Sequence, residues 1–178
     1  ERNKIIANKA KTFTEDDQVL ILTETIEHAV ELKQVLQDYT LVYDQMEAKR
    51  FDWYKRHGQL SKDEPIMTPQ RKENLRVSFE AGTLKKAIAT KMWSVGIDPV
   101  QLTALIRAEG TESEIMDIQA PGRVSRTNAN DKSVGVVCDF RDQFDSSLKR
   151  KAIERYKHYK AMGWDQVVCL TDGHTTKI

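Results

Sequence analysis

The sequence predicts an α/β fold in which helices cover both faces of a mainly parallel β-sheet. Five short apolar runs are continuous rather than alternating, which is typical of strands that are buried on both faces. Segments with apolar residues at helical spacing lie between these runs, and such alternation indicates an α/β architecture. The length of 178 residues and the hydrophobic content of 39% are those of one soluble globular domain.

The strands follow from the continuous apolar runs. They are predicted, in chain order, at 19–22, 41–43, 87–89, 104–106 and 134–138. In sheets of this kind ligands bind beyond the carboxyl ends of the strands. The loops after the third and fourth strands are therefore the first places to search for a site.

Three helices follow from apolar stripes and from residues that favour helix ends. The first has Thr25 as a candidate N-cap, and the second begins with Thr68 as N-cap and Pro69 as first helical residue. Gly82 suits the end of the second helix, and the third spans 146–162 before Gly163. The predicted inward-facing residues are, helix by helix, Ile26, Ala29, Val30, Val35 and Leu36; Leu75 and Phe79; and Leu148, Ala152, Tyr156 and Tyr159.

Composition and cysteine usage limit the class of protein. The formal net charge of +1 argues against a surface coated with basic groups, although a local basic patch is compatible with it. Cys138 and Cys169 have no metal-binding spacing and lie among apolar residues, which indicates buried, reduced thiols in a reducing compartment. No apolar run approaches the length of a membrane span and no signal peptide opens the sequence. We expect no membrane segment and a cytoplasmic location, and the start at Glu1 predicts a part of a longer protein.

The segment "IQAPGRVSRT" (118–127) places two arginines three residues apart behind a Pro-Gly pair. On a helix Gln119, Arg123 and Arg126 would project along one stripe. The proline favours a kink there, and Gly122 allows a close backbone approach. Guanidinium groups are planar donors that fit phosphate oxygens. The residues alone leave two interpretations open, a clamp for the γ-phosphate of a nucleotide and a solvated basic helix end.

Four stretches, in order, resemble motifs of the second RecA-like domain of superfamily 2 helicases. "QVLILTETIEHAVELKQVL" is similar to motif IV and its helix, "RKENLRVSFEAGTLKKAIAT" to the run into motif V, "IATKMWSVGIDPVQLTALI" to motif V, and "QAPGRVSR" to motif VI, Gln-x-x-Gly-Arg-x-x-Arg. The end of the chain, "VVCDFRDQFD" with a basic helix and "YKAMGW", is similar to viral and bacterial members, including phage branch-migration helicases. The resemblance implies a single RecA-like three-layer α/β/α domain over 1–178, a P-loop NTPase fold without a P-loop of its own.

The first half of such a motor is not found in the sequence. There is no Gly-x-x-x-x-Gly-Lys-Ser/Thr loop, and the only Asp-Glu pair, Asp63-Glu64, precedes a proline in a polar stretch. The resemblance therefore implies that an N-terminal RecA-like domain of the same protein holds Mg²⁺ and most of the ATP phosphates. We expect this chain alone to be inactive as an ATPase.

The resemblance also implies roles in the nucleotide cleft. Arg126 would be the arginine finger and Arg123 a second γ-phosphate contact, and these are the candidate catalytic residues. Gln119 and Gly122 would lie beside the nucleotide as orienting and close-approach residues. Gly96 and Asp98 would line the same cleft, Asp98 near the ribose hydroxyls, although a turn residue before a proline is the alternative for Asp98.

Nucleic-acid contacts are implied at the ends of two strands. Thr90 matches the motif V threonine that contacts the phosphate backbone, which a small hydroxyl can bind without reading sequence. Thr23 and Lys91 are candidates for the same contact. For Thr25 helix capping is the preferred role.

The segment 44–68 is longer than a typical connection between two elements and is a candidate insertion. Within them "EAKRFDWYKRHG" interleaves Phe51, Trp53 and Tyr54 with basic residues, a pattern that could stack bases along a strand. An amphipathic helix that buries its aromatic residues is the alternative. Trp93 either contacts substrate or fills the core. Residues 146–178 are predicted to be a C-terminal helix and tail, and the basic helix either faces DNA or is simply solvated.

The function that the resemblance implies is the C-terminal half of an ATP-dependent DNA helicase or translocase that uses Mg²⁺. Its partners would be the N-terminal RecA-like domain and DNA, with RNA still open, in the cytoplasm of a bacterial or phage-infected cell. The phage-like end favours DNA recombination and repair by unwinding or branch migration. Two alternatives are a non-catalytic nucleic-acid-binding or regulatory α/β module and half of a sugar-nucleotide transferase, which would not need the motif VI arginines.

Overall fold

A computed structural model describes residues 2–93, 97–99, 102–110, 135–140, 145–163, 167–171 and 174–177. Its strands are β1 (Gln18–Thr23), β2 (Thr40–Val42), β3 (Lys86–Thr90), β4 (Leu102–Arg107), β5 (Val136–Phe140), β6 (Val167–Thr171) and β7 (His174–Lys177). Its helices are α1 (Arg2–Ala10), α2 (Ile26–Val35), α3 (Ala48–Arg56), α4 (Pro69–Glu80) and α5 (Ser146–Ala161), with a 3₁₀ turn at Lys91–Trp93. No helix among the described residues is long and apolar enough to cross a bilayer.

The strands form one sheet in the order β2-β3-β1-β4-β5-β6-β7. Every neighbouring pair is parallel except β6 and β7, which are antiparallel. The mainly parallel sheet predicted from the continuous apolar runs is therefore confirmed. Because parallel strands end at the same edge, Thr23, Thr90 and Arg107, which end β1, β3 and β4, all lie at the carboxyl edge of the sheet.

Both faces of the sheet are covered. In β1, Val19 and Ile21 belong to one buried cluster, and Leu20 and Leu22 belong to another. The first cluster also contains apolar residues of α1, α2 and α3, whereas the second contains Phe79 of α4. Helices therefore pack on both faces, and this explains why the strand sequences are continuously apolar.

The predicted helix ends are confirmed. The side chain of Thr25 accepts a hydrogen bond from the His28 amide, and that of Thr68 accepts one from the Arg71 amide. Pro69 is the first residue of α4, and Gly82 follows the helix with a φ of 75°, a conformation that favours glycine.

Three details of the prediction are wrong. Val35 is 48% exposed, because it lies beyond the edge of the buried arc of α2, and Leu32 takes its place in the core. In α5 the buried residues are Ala152, Arg155 and Tyr159, whereas Tyr156 is only partly buried. The fifth strand lies at Val136–Phe140 rather than 134–138, because it continues through Asp139 and Phe140 to pair with β6.

Candidate functional site

Two threonines meet at the carboxyl edge of the sheet. Thr23 and Thr90 are register partners in β1 and β3. Thr23 is fully buried, with its hydroxyl 3.2 Å from the Thr25 carbonyl oxygen and 3.4 Å from that of Ala89. Thr90 is 7% exposed. The nucleic-acid role stays a prediction for both residues, and for Thr23 it requires the hydroxyl to leave its internal bonds.

The loop after β3 begins with an exposed cation and a buried ring. Lys91 is exposed, whereas Trp93 is 2% exposed and packs on Phe79 with ring centroids 5.2 Å apart. Trp93 therefore fills the core, which decides between the two roles that the sequence left open. Its packing anchors the start of the loop against α4.

Asp98 is held in place through its backbone. Its amide donates to Oε1 of Glu80 at 3.0 Å, and Oε2 of the same carboxylate accepts from Arg76 at 2.6 Å. Ile97 and Pro99 are buried on either side, while Asp98 itself is exposed. The loop therefore presents the Asp98 carboxylate at the surface from a position fixed to α4. Sequence reasoning missed Glu80, since an acidic residue near a helix end is common on solvated surfaces.

The remaining predicted nucleotide contacts lie outside the described residues. They are Gly96, Gln119, Gly122, Arg123 and Arg126. Their roles stay predictions. The predicted helical segment that carries the last four of these residues also lies outside the described part.

The residues just before that segment belong to a buried ionic network, defined here as Arg107, Glu109, Asp139, Arg155 and Tyr159. All five are at most 4% exposed. Arg155 binds both oxygens of Asp139 through Nε and Nη2, each at 2.7 Å. The Tyr159 hydroxyl donates to Asp139 at 2.9 Å and accepts from Arg107, which also donates to Glu109 at 2.7 Å. The network ties the ends of β4 and β5 to α5.

The two carboxylates of the network respond differently to burial. Burial raises the pKa of Glu109 above its usual value, and this outweighs the attraction of Arg107. Burial also acts to raise the pKa of Asp139, but the charge and hydrogen bonds of Arg155, with help from Arg107 and Tyr159, hold that pKa below its usual value. The bidentate geometry explains the difference, because a carboxylate with two guanidinium bonds is strongly favoured in its charged form.

Sequence signals for this network existed but were weak. Arg107 and Glu109 are two residues apart at a strand end, so they share one side of the strand. Arg155 and Tyr159 are four residues apart, so they share one face of α5. Charged residues are rarely buried unless paired. The bonds from Arg155 to Asp139 and from Arg107 to Tyr159 join residues distant in sequence, which the sequence pattern does not reveal.

The two cysteines were predicted to be buried and reduced. Cys138 is a fully buried free thiol, as predicted, and burial raises its pKa to about 12. Cys169 lies in β6, and its side chain is outside the described part of the chain.

Residues 44–68 contain α3, and their aromatic residues divide between core and surface. Phe51 and Tyr54 are buried in the first core cluster. Trp53 is 43% exposed. The amphipathic-helix interpretation is thus confirmed for two of the three rings, and the third faces solvent.

Comparison with known proteins identifies relatives of this fold. Residues 3–128 match the family described as "Helicase conserved C-terminal domain". No curated protein sequence matches the chain. The structure of the C-terminal domain of the DEAD-box protein Dbp5 superposes with a TM-score of 0.62 at 15% identity, covering 94% of this chain and 82% of that chain.

Two longer structures are also similar. S. cerevisiae Dbp5 bound to Gle1 and IP6 gives a TM-score of 0.63 at 16% identity, covering 96% of this chain and 39% of that chain. The Pyrococcus furiosus Hef helicase domain gives 0.51 at 16% identity, covering 87% of this chain and 27% of that chain. At these identities the likeness establishes a shared fold.

Proposed function

Because the chain belongs to the helicase conserved C-terminal domain family and has the RecA-like fold of superfamily 2 helicases, we propose that it is the arginine-bearing half of an ATP-driven motor on nucleic acid. The observation that carries the proposal is the extent of the family match, residues 3–128. This range includes the motif VI arginines Arg123 and Arg126 as well as Thr90 and Asp98.

The proposed site is a cleft between this domain and an N-terminal RecA-like domain. ATP would lie in the cleft, with Arg126 and Arg123 on the γ-phosphate and Asp98 near the ribose. Arginine donors stabilise the charge that develops on the phosphoryl group in the transition state of its transfer, and they do so only when both domains have closed. Closure and release of the two domains would then move the protein along the phosphate backbone.

The described residues fit a partial nucleotide site. Asp98 is exposed on the loop between β3 and β4, which Glu80 of α4 holds through the Asp98 backbone amide. Among the described residues there is no group of three or more side chains suited to hold a metal ion. The helicase resemblance assigns Mg²⁺, which assists by neutralising phosphate charge, to the other domain, and the proposal keeps that assignment.

The proposed substrate is DNA, on the similarity of the chain's end to phage branch-migration helicases. Contacts to phosphates from threonine hydroxyls and backbone amides carry no sequence information, so little base specificity is expected. Recombination or repair is the proposed process.

The test is ATP hydrolysis by this chain alone, by the N-terminal domain alone and by the full-length protein. Each is assayed without nucleic acid and with single-stranded DNA, branched DNA and RNA. We expect turnover stimulated by nucleic acid only when both domains are present. Turnover by this chain alone would contradict the proposal, and binding without turnover in the full-length protein would favour a non-catalytic binding module.

A further inference from the structure

The exposed ring of Trp53 lies at the centre of a basic helix face. In an α-helix the neighbours of a residue on the same face are three and four positions away. For Trp53 these positions hold Lys49, Arg50, Arg56 and His57, and all four side chains are exposed. The only acidic residue of α3, Asp52, lies outside this set. We name Trp53 and these four residues the Trp53 face.

The ring is held in a fixed orientation. The imidazole of His57 stacks on the indole of Trp53, with centroids 4.1 Å apart and 26° between the planes. His57 is itself held, since its Nδ1 lies 2.8 Å from the Trp53 carbonyl oxygen. Beneath the face, Phe51 and Tyr54 anchor α3 in the core. The indole, which is 43% exposed, is therefore presented on an element that is anchored in the core, and this lowers the entropy that a ligand must overcome.

The charge of the face is only partly neutralised within the domain. Arg50 forms an ion pair with Glu27. Within the described residues no carboxylate forms an ion pair with Lys49 or Arg56, and Arg56 donates only to the backbone oxygen of Asp52. In the part of the chain that the structure describes, two cations therefore flank the ring without an acidic ion-pair partner. This arrangement suits a ligand that combines aromatic rings with negative charge.

The Trp53 face also lies close to the edge of the sheet at which nucleic acid is proposed to bind. Glu27, which pairs with Arg50, lies in the first turn of α2, directly after the Thr25 cap and the carboxyl end of β1. The Trp53 face thus begins beside the edge of the sheet where Thr23 and Thr90 lie. A nucleic-acid strand that is bound through its phosphates at that edge of the sheet would pass next to α3.

We propose that the Trp53 face is a stacking platform for an unpaired base of single-stranded nucleic acid, with Lys49 and Arg56 on the adjoining phosphates. The inference rests on the proposed function and adds a contact outside the helicase motifs. Every base has a π-face, so a platform of this kind binds without sequence preference.

The test measures the affinity of the full-length protein and of this chain for labelled oligothymidylate and oligouridylate, each roughly 12 nucleotides long, by fluorescence anisotropy. We expect Trp53→Ala to weaken binding by roughly 5- to 100-fold, since loss of one stacked base contact has this effect in other single-strand binders. Trp53→Phe should retain most of the affinity. The matched control is Val77→Ala, because Val77 is similarly exposed, at 51% against 43% for Trp53, but lies on α4.

A second measurement examines the charges. In Lys49→Ala combined with Arg56→Ala, the slope of log affinity against log salt should fall by up to about two, because each lost phosphate contact removes about one. An unchanged slope would overturn the role of these cations. Circular dichroism melting of every variant separates loss of fold from loss of contact.

The outcomes distinguish this inference from the proposed function. If Trp53→Ala binds like the wild type while Thr90→Val binds weakly and the wild type hydrolyses ATP, the platform is wrong and the motor stands. If Trp53→Ala leaves affinity intact but lowers ATP hydrolysis, the face docks a protein domain and the platform is again wrong. If the wild type neither binds single strands nor hydrolyses ATP, both proposals fail.

Discussion

At the scale of single residues, Asp139 shows how this domain keeps a charge inside its core. It occupies an apolar strand and is 4% exposed, yet Arg155 binds both of its oxygens and Tyr159 donates a third bond. A buried carboxylate is tolerated only when it is paired in this way. The bonds from Arg155 and Tyr159 to Asp139 therefore tie β5 to α5.

We predict that Asp139→Asn lowers the free energy of unfolding at neutral pH by about 3 to 5 kcal/mol, because it leaves the charge of Arg155 buried without its carboxylate. The depressed pKa of Asp139 also makes its contribution dependent on pH. That contribution is complete above the ordinary aspartate pKa of about 4 and is lost as the pH falls through the folded-state value. The difference between wild type and variant should therefore shrink as the pH is lowered from about 5 to 2.

Denaturant titrations at several pH values measure this difference. The control is Asp38→Asn, which removes a carboxylate paired with Lys86 at the surface, where the loss should stay below about 1 kcal/mol. A difference for Asp139→Asn that is constant across the acid range would contradict the assigned charge state.

Single residues also show where prediction from the sequence succeeds and where it fails. Thr25, Thr68 and Gly82 could be assigned correctly because their roles depend on neighbours within four residues. Arg155 could not, because its partner Asp139 comes from another element. The exposure of Trp53 could not be predicted either. The sequence indicates which residues share a helix face, but it does not indicate which elements cover that face.

At the scale of elements, β1 to β5 were predictable from their continuous apolar runs, and three helices were predictable from their apolar periods. The helix α1 was missed, since two of its three buried residues are alanines, Ala7 and Ala10, which carry little hydrophobic signal. The strands β6 and β7 were predicted only as part of a tail. They complete the sheet beyond β5, and β7 pairs antiparallel at its end.

The helix α2 gives a prediction that separates capping from nucleic-acid contact. Thr25→Ala should lower the free energy of unfolding by about 1 kcal/mol, because the His28 amide loses its side-chain acceptor. Thr25→Asp should restore that stability, since aspartate is an equally good cap and favours the positive end of the helix. Thr68→Ala, at the matching cap of α4, should show a similar loss.

Chemical denaturation and oligonucleotide anisotropy on the same variants complete this test. If Thr25 serves as a cap, Thr25→Ala loses stability while affinity is unchanged. Reduced affinity with unchanged stability would instead assign Thr25 to the phosphate backbone.

At the scale of the whole molecule, the fold brings Thr23 and Thr90 together at the carboxyl edge of the sheet. The parallel order places the ends of β1, β3 and β4 together, and α4 fixes the loop of Asp98 through Glu80. The buried ionic network fixes the end of β4, from which the chain continues toward the motif VI arginines. Under the proposed function, these features would form the frame behind residues that act on a ligand brought by another domain.

We therefore predict that Arg126→Ala in the full-length protein lowers the maximal rate of ATP hydrolysis by roughly 10³ to 10⁵, while affinity for single-stranded nucleic acid is retained. The reason is that a finger arginine stabilises charge that exists only during phosphoryl transfer, so its loss affects turnover rather than binding. Arg126→Lys should be nearly as slow, because lysine keeps the charge but not the planar fork of donors. Lys11→Ala, which removes an exposed cation in the turn after α1, is the control and should hydrolyse ATP at the wild-type rate. Rapid turnover by Arg126→Ala would remove that residue from the finger role and leave Arg123 as the arginine to examine.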